Sequence, residues 1–188
     1  MSSDDTRRNI IEPLDPSKHD RAAFTYGVEQ VDNFFKKTAN KLVKADNLRV
    51  FVMTDLEGRL IGFYGLNVHS VDYTELPAKY ARTRPGHGSI PAAYISMIGV
   101  DRKFAGHGYG GDLLADALNR IATAAENLGL AVVILDVLDC GNAELVEKRK
   151  KLYASYGFLS LPSNELRLFL PLLTVRQILA DEDGATDG

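Results

Sequence analysis

Residues 94–118 read YISMIGVDRKFAGHGYGGDLLADAL, and this stretch decides the fold of the chain. Residues 94–100 are apolar on both faces, as expected of an interior strand, and the run ends at charged residues 101–103. Four glycines follow between residues 106 and 111, where the chain can adopt positive φ and another molecule can approach the backbone. Apolar residues then recur at helical spacing over 113–128. The stretch predicts a strand, a glycine loop and a helix N-terminus, whose unpaired N–H groups can bind a phosphate or pyrophosphate.

The spacing of the glycines distinguishes between nucleotide-binding folds. A Walker loop needs Gly-Lys-Ser/Thr, which this loop lacks. Residues 106–111 do satisfy the dinucleotide pattern Gly-x-Gly-x-x-Gly. A dinucleotide fold, however, places that pattern after its first strand and carries an acidic residue about twenty positions later, whereas this loop lies in the middle of the chain. A purely structural glycine turn is the remaining alternative.

Two motifs resemble those of the GNAT N-acetyltransferases. Residues 105–110, AGHGYG, resemble the family's motif A, in which a hydrophobic strand and a short charged link precede Arg/Gln-x-x-Gly-x-Gly/Ala and a helix. Ala105 stands where the family usually has Gln or Arg. Residues 152–158, LYASYGF, resemble the family's Tyr-x-x-x-Gly-Phe element. The resemblance covers residues 8–172 and implies an α/β (α+β) fold: a mixed, mostly antiparallel sheet with a central, splayed pair of parallel strands, flanked by helices.

The resemblance implies that acetyl-CoA binds along the strand and the glycine loop. The loop amides would hold the pyrophosphate, and the strand would offer main-chain groups to the pantetheine arm and a donor to the thioester carbonyl. Gly99, inside an otherwise bulky strand, suggests a bulge or a close approach of the ligand. No metal is expected. The expected cofactor-binding residues are Ile98, Gly99, Val100, Ala105, Gly106, His107, Gly108, Tyr109, Gly110 and Gly111.

The resemblance also implies that Tyr153 is the general acid, because the motif tyrosine is positioned to hydrogen-bond the sulfur. A phenol with a pKa of about 10 protonates a thiolate whose conjugate acid has a pKa of about 8.5 only if it is well positioned. A core role is the alternative for Tyr153. Tyr156 is expected to pack beside Phe158.

No general base is evident from the sequence. An α-amino group, with a pKa of about 8, needs far less help from a base than a lysine amine with a pKa of about 10.4. An α-amine is therefore the easier acceptor for such a site. The candidate bases, by residue type only, are His69, His87, His107 and Glu75.

The N-terminal part is similar to one branch of the family, the toxins that acetylate the amino group of aminoacyl-tRNA. Residues 24–27 and 31–39 match that branch's Phe-x-Cys-Gly, Leu-Asp-x-Phe-Leu and following Ala, with Tyr26 in place of Cys. Residues 166–171, LRLFLP, also match. Met97 replaces the Arg of the branch's Arg-Leu-Ala-Val-Asp. The resemblance implies an aminoacyl-tRNA substrate, a small ribbon-helix-helix antitoxin as partner, and a homodimer.

Basic residues gather at three places that we expect to surround the acceptor cleft, where they would grip RNA phosphates. A solvated helix face is the alternative for such lysines. The competing functions are a housekeeping N-acetyltransferase of a small amine or protein N-terminus, and a non-catalytic acetyl-CoA-binding module. The candidate phosphate contacts are Lys36, Lys41, Arg82, Arg84, Lys148, Arg149 and Lys151.

The chain as a whole has the composition of one globular domain. Its 188 residues are 45% hydrophobic and 25% charged, and the net charge of −3 argues against a uniformly basic nucleic-acid binder. We expect one domain over residues 8–180, a loose N-terminus over 1–7 and a flexible acidic tail over 181–188. The sequence offers no membrane span or signal peptide, so a cytoplasmic location is expected. The single Cys140 is expected to be an incidental surface thiol.

Periodicity and turn signals outline the remaining elements. Residues 55–58 predict a hairpin turn between two antiparallel strands, and residues 70–91 predict a long loop over the substrate entrance. The other predicted strands are 9–14, 49–54, 60–68, 131–138, 158–161 and 166–170, and the other predicted helices are 29–44, 143–156 and 174–179.

Overall fold

The computed structural model describes residues 9–186, so the predicted loose N-terminus 1–7 lies outside the described residues. The strands are β1 Ile10–Pro13, β2 Arg49–Thr54, β3 Leu60–Asp72, β4 Ser89–Val100, β5 Val132–Asp136, β6 Leu159–Leu161 and β7 Asn164–Pro171. The helices are α1 Glu29–Asn33, α2 Ala39–Lys44, α3 Ala78–Ala81, α4 Tyr109–Ala124, α5 Ala143–Ser155 and α6 Leu172–Thr186. No helix in residues 9–186 is long and apolar enough to cross a membrane.

The strands form one sheet in the order β1-β2-β3-β4-β5-β7-β6. β4 and β5 are parallel, with Ala92 opposite Val132 and Ile95 opposite Leu135 at the two ends of their ladder. The pairs β1/β2, β5/β7 and β6/β7 are antiparallel. β4 continues to Val100, beyond the end of its ladder with β5. The predicted mixed sheet with a central parallel pair is confirmed.

The described chain divides into two compact units, residues 9–65 with 97–116 and residues 66–96 with 117–186. In the first unit, the rings of Phe35 and Phe63 stack with centroids 4.1 Å apart. In the second, apolar residues of β4, β5 and β7 pack in one buried cluster. Aromatic stacking and apolar burial stabilise each core. The expectation of a single domain over 8–180 stays a prediction.

The predicted helix 29–44 forms, but with a π-helical turn, Phe34–Thr38, between α1 and α2. A π-turn holds one extra residue and so shifts the apolar face of the helix that follows. Phe35 and Ala39 are both fully buried across this turn. The turn therefore adjusts the register of the apolar stripe to the core.

The predicted loop over 70–91 is wrong in large part. β3 continues to Asp72, β4 begins at Ser89, and the short helix α3 lies between them. Val71 and Ile90 are buried in the same cluster, and this burial stabilises the strand ends despite the nearby Pro and Gly. The described part of the predicted acidic tail, residues 181–186, lies in α6, and its flexibility stays a prediction.

Candidate active site

The glycine loop leaves its backbone open. Gly106 and Gly108 have φ of +80° and +84°, and no atom lies within 4 Å of the position that a Cβ would occupy at either residue. The N–H groups of Gly111 and Asp112 donate to the Gly108 carbonyl at 3.0 and 3.2 Å, which starts the hydrogen-bond ladder of α4. The amides of Tyr109 and Gly110 precede that ladder, so they belong to the first N–H groups of the helix, at its positive end.

Part of the predicted amide cradle is engaged within the chain. Gly110 and Gly111 belong to α4 and do not have positive φ, so the expected left-handed geometry is confined to the two preceding glycines. The Ala105 N–H donates to Arg102 O at 3.3 Å, and the Gly111 N–H is engaged in the first turn of the helix. Both amides therefore have a partner within the chain, and their role toward the pyrophosphate stays a prediction.

Asp101 fixes the start of the glycine loop. Its side chain is buried, with 3% of the residue exposed, and accepts hydrogen bonds from the N–H groups of Thr25 and Lys103, both at 2.8 Å. It caps the 3₁₀ turn Arg102–Phe104. Sequence reasoning missed this role, although an Asp that directly follows a strand is a known turn-capping signal.

His107 reinforces the conformation of the loop from the surface. Its Nδ1 lies 3.0 Å from Ala105 O and 3.1 Å from Phe104 O, and its ring stacks on Tyr109 with centroids 5.9 Å apart. A ring nitrogen shared between two backbone carbonyls favours the N–H form at that atom. We therefore assign the His107 side chain to loop geometry.

Gly99 is a glycine because of packing, not ligand approach. A Cβ there would meet the Tyr26 ring at 3.1 Å, and Phe63 and Val31 at 3.4 Å each. The expectation that Gly99 lets the ligand approach through its missing side chain is therefore wrong. The neighbouring Ile98 and Val100 are partly exposed on β4, and their main-chain role toward pantetheine stays a prediction.

Tyr153 lies in α5, and the motif around it has a structural basis. Gly157 has φ of +91° and ends the helix, with the Phe158 N–H donating to Tyr153 O at 3.2 Å. This turn brings the Phe158 ring against the Tyr153 ring, with centroids 6.0 Å apart. Tyr153 is 6% exposed. The Phe158 ring thus packs on Tyr153. The predicted packing of Tyr156 beside Phe158 stays a prediction.

A network of charged and polar side chains crosses three neighbouring strands. The Tyr94 hydroxyl on β4 donates to Asp136 Oδ2 on β5 at 2.8 Å, and Arg167 on β7 donates to both Asp136 oxygens at 2.7 and 2.8 Å. These guanidinium bonds hold the pKa of Asp136 below its usual value. Burial, with the Asp136 carboxylate, raises the pKa of Tyr94 to about 12. Sequence reasoning missed this network, because its members lie far apart in the chain.

The four candidate bases lie in different surroundings. The His69 ring lies 5.5 Å from the Tyr94 ring. Hydrogen bonds to Asp136 raise the pKa of Arg167, and the negative charge of Glu75 adds a smaller contribution in the same direction. The His87 Nδ1 accepts from the Ser89 N–H at 3.2 Å. His107 contacts backbone carbonyls. Of these four, His69 and Glu75 are the ones that interact with the network of Tyr94, Asp136 and Arg167.

Two of the predicted phosphate contacts are engaged inside the chain. Arg149 donates to Leu138 O at 2.9 Å and contacts Cys140 Sγ at 3.5 Å, which lowers the pKa of that thiol. The Arg84 guanidinium lies 3.9 Å from the centre of the Tyr73 ring. These partners compete with any phosphate for the two guanidinium groups.

The other predicted phosphate contacts keep access to solvent. Lys148 and Lys151 line an open groove of about 810 Å³ on α5, together with Glu144 and Glu147. Lys41 and Arg82 are exposed, and Lys36 is partly exposed. Because the groove has two acids beside its two lysines, its net attraction for phosphate depends on which side chains face the ligand.

Within residues 9–186, no cluster of three or more His, Cys, Asp or Glu is placed to hold a metal ion. The loop, the Tyr153 turn and the network of Tyr94, Asp136 and Arg167 offer backbone amides, phenols, a carboxylate and a guanidinium group. These groups can hold an anion, donate a proton or position an amine.

A family model described as the Acetyltransferase (GNAT) family matches residues 14–158. The chain is 61% identical over 180 residues to a Sinorhizobium fredii protein named probable toxin TacT, covering 95% of this chain and 99% of the relative. It is 30% identical over 162 residues to a Mycobacterium tuberculosis protein named tRNA-acetylating toxin, covering 86% and 92%. A solved structure of AtaT complexed with acetyl-methionyl-tRNAfMet matches the fold with a TM-score of 0.79 at 24% identity, covering 91% and 99%.

Proposed function

We propose that this chain, which belongs to the GNAT acetyltransferase family, transfers an acetyl group to the α-amino group of aminoacyl-tRNA. It is an acetyltransferase, and acetyl-CoA is its acetyl donor. The observation that carries the choice of acceptor is the identity of 61% and 30%, over most of each chain, with proteins named as a probable toxin and a tRNA-acetylating toxin.

The glycine loop has the geometry needed to hold the pyrophosphate of acetyl-CoA. Because Gly106 and Gly108 carry no side chain, the space beside the loop backbone is open, and the first amides of α4 supply donors at the positive end of the helix dipole. When bound, acetyl-CoA supplies an activated thioester carbonyl. The residues of this chain that would hold it are Gly106, His107, Gly108, Tyr109 and Gly110, through their backbones.

Tyr153 supplies the proton that the departing thiolate needs. Its burial against Phe158 restricts the orientation of the phenol, and a fixed orientation is what an uphill proton transfer requires. An α-amine acceptor needs less help from a general base of the enzyme than a lysine amine does, because an α-amine with a pKa of about 8 is about one-tenth neutral at pH 7. This property favours an aminoacyl ester over a lysine side chain.

The proposed partners follow from the same reaction. A toxin that blocks charged tRNA must act in the cytoplasm and must be neutralised there, so we include a ribbon-helix-helix antitoxin in the proposal. We also include a homodimeric state, which the resemblance to the toxin branch implies. A housekeeping N-acetyltransferase of small amines or protein N-termini is the competing enzyme. A non-catalytic acetyl-CoA-binding module is the competing non-enzyme.

The test is acetyl transfer from labelled acetyl-CoA by the purified full chain. We expect label on a mixed pool of charged tRNA and none on the same pool after deacylation, since only charged tRNA carries the amine. Spermidine and a short peptide serve as competing acceptors. Rapid labelling of spermidine or peptide, with charged tRNA untouched, would replace the toxin by the housekeeping enzyme. Acetyl-CoA binding without transfer to any acceptor would favour the non-catalytic module.

A further inference from the structure

Tyr73 lies at the surface, in the 3₁₀ turn Tyr73–Glu75 that follows β3. It is the most exposed of the aromatic residues between 9 and 186, with 37% of the residue accessible. A single exposed ring is common on protein surfaces and has no function by itself. The neighbours of the Tyr73 ring therefore decide what it can bind.

The backbone around Tyr73 anchors the ring. The Tyr73 N–H donates to Gly88 O at 3.0 Å, just before the start of β4. A Cβ at Gly88 would lie 3.3 Å from Cδ1 of Tyr73, so the ring lies close beside the glycine. Asp72 caps the turn, since its carboxylate accepts from the N–H and the hydroxyl of Thr74 at 2.9 and 2.6 Å. These contacts restrict the position of the ring.

The Arg84 guanidinium lies over the face of the same ring. Its central carbon is 3.9 Å from the centre of the Tyr73 ring, and its Nη1 donates to Ala81 O at 3.2 Å. A guanidinium group is planar, so the contact brings a flat cation onto a flat aromatic ring. Arg84 and Tyr73 are both exposed to solvent. Together they offer a flat surface that carries a positive charge.

The segment that carries Arg84 is basic. Residues 78–88, AKYARTRPGHG, contain three exposed cations and no acid. These cations are Lys79, Arg82 and Arg84. None of them belongs to an ion pair with another described residue. The preceding turn carries two acids, Asp72 and Glu75, so three cations stand against two acids and the surface keeps a positive excess.

A flat cationic surface beside basic side chains suits an unpaired nucleobase. Bases of single-stranded RNA stack on aromatic rings and on guanidinium planes, while their phosphates pair with Lys and Arg. A phosphate alone would require the N–H edge of the guanidinium group, and Ala81 O already occupies part of that edge in Arg84. A base inside a duplex is covered on both faces by its neighbours. Single-stranded RNA is therefore the ligand that this surface favours.

We propose that Tyr73 and Arg84 form a platform on which an unpaired nucleobase of the RNA substrate stacks. We call this pair the stacking platform. The inference rests on the proposed function, because the aminoacyl ester of a charged tRNA lies at a single-stranded 3′ end. Arg84 then stacks on a base instead of contacting a phosphate, whereas Lys79 and Arg82 remain available for the phosphates of the same strand.

The test titrates the full chain with a short single-stranded RNA and with a matched strand in which every base is replaced by an abasic site. The two strands carry the same phosphates, and only the first carries bases. Tyr73→Leu removes the flat ring, and Arg84→Lys keeps the charge but removes the plane. Tyr73→Phe, which keeps the ring, and Arg82→Lys, which changes an exposed arginine outside the platform, are the matched controls.

We expect Tyr73→Leu and Arg84→Lys each to weaken binding of the intact strand by about tenfold or more, the usual effect of losing one base stack. Binding of the abasic strand should not change. The slope of affinity against log salt should also stay the same, because neither variant loses a charge. The KM for charged tRNA should rise by a similar factor at unchanged kcat. Both controls should match the wild type, as should the acetyl-CoA affinity of all variants.

Wild-type affinity of either variant for the intact strand would overturn the platform, as would a wild type that binds the two strands equally. Equal weakening of both strands, with a lower melting temperature, would give the pair a purely structural role and would also overturn it. A wild type that prefers the intact strand through this pair yet never labels charged tRNA would refute the proposed function only. Labelling of charged tRNA with the same KM in all variants would refute the platform only.

Discussion

The glycine loop and the network of Tyr94, Asp136 and Arg167 both present polar groups, but they are built in opposite ways. The loop uses backbone amides, and its two positive-φ residues, Gly106 and Gly108, are close neighbours in sequence. The network uses side chains from three strands, β4, β5 and β7. A backbone site depends on the absence of a Cβ, whereas a side-chain site depends on individual oxygen and nitrogen atoms. The two should therefore respond to different kinds of substitution.

The largest effect should come from deleting one oxygen from a side chain. Tyr153→Phe keeps the ring that packs on Phe158, so folding and acetyl-CoA affinity should change little while kcat falls by roughly 10²–10⁴. Steady-state kinetics with charged tRNA measure this, and Tyr156→Phe is the control that should retain wild-type turnover. Equal turnover by Tyr153→Phe would return Tyr153 to a packing role.

The complementary test adds one methyl group to the backbone site. Gly108→Ala should destabilise the fold by about 1–2 kcal/mol, because an L-residue is strained at positive φ, and should weaken acetyl-CoA binding by about tenfold or more. Gly58→Ala is the matched control. Gly58 also has positive φ, +79°, with no atom within 4 Å of the Cβ position.

Calorimetry with acetyl-CoA and urea unfolding separate the two contributions. Both variants should lose similar stability, and only Gly108→Ala should lose affinity. If Gly58→Ala weakens acetyl-CoA binding as much, the effect is general strain and the loop is not the cradle.

A smaller effect is expected from charges on the groove of α5. Neutralising Lys148 and Lys151 to Gln should flatten the dependence of tRNA affinity on log salt by about one unit for each phosphate that these lysines bind. The paired control neutralises Glu144 and Glu147 in the same groove, which should raise tRNA affinity. Binding titrations at several salt concentrations measure both. An unchanged slope in the lysine variant would remove α5 from the RNA surface.

The smallest effect concerns Asp136, the carboxylate to which Arg167 donates. Its pKa is lowered in the folded chain, mainly by hydrogen bonds from Arg167, so its stabilising contribution is present above a pH of about 4 and is lost as the pH falls through the lowered pKa. The Asp136 side chain is 37% exposed, and solvent screening keeps the contribution below about 1 kcal/mol.

Urea unfolding at pH 7 and pH 3 measures this contribution. Asp136→Asn should be less stable than the wild type at pH 7, and the difference should shrink at pH 3. A difference that stays constant between the two pH values would mean that charge at this position does not contribute.

The sequence predicted those parts of the fold that depend on local patterns. The strand 49–54, the glycine loop and α4 follow from apolar runs and glycine spacing, which act over a few residues. The extension of β3 to Asp72 was missed because it depends on pairing with β4, and the intervening prolines and glycines are typical of a loop. The conformation of Gly110 was missed because a glycine in a helix and one at positive φ look identical in sequence.

The candidate site shows the same division. The backbone cradle was predicted because its chemistry requires glycine at fixed spacing. The Tyr94–Asp136–Arg167 network was not, because no local pattern joins a tyrosine, an aspartate and an arginine on three strands. Asp101 lies between these cases, since its capping position is local but its contact with the Thr25 amide is long-range.

The packing of Tyr26 over Gly99 has a consequence for which substitutions the chain tolerates. At this contact a large side chain, Tyr26, lies against a residue that has none, Gly99. A Cβ at position 99 would lie 3.1 Å from the Tyr26 ring, so Gly99→Ala should cost about 1–3 kcal/mol alone and much less in a Tyr26→Cys background. A double-mutant cycle by urea unfolding measures this epistasis, and additive costs would mean that the two positions drift independently. With the coupling present, a methyl group at position 99 is tolerated best when position 26 carries a smaller side chain, so each position limits the substitutions that the other accepts.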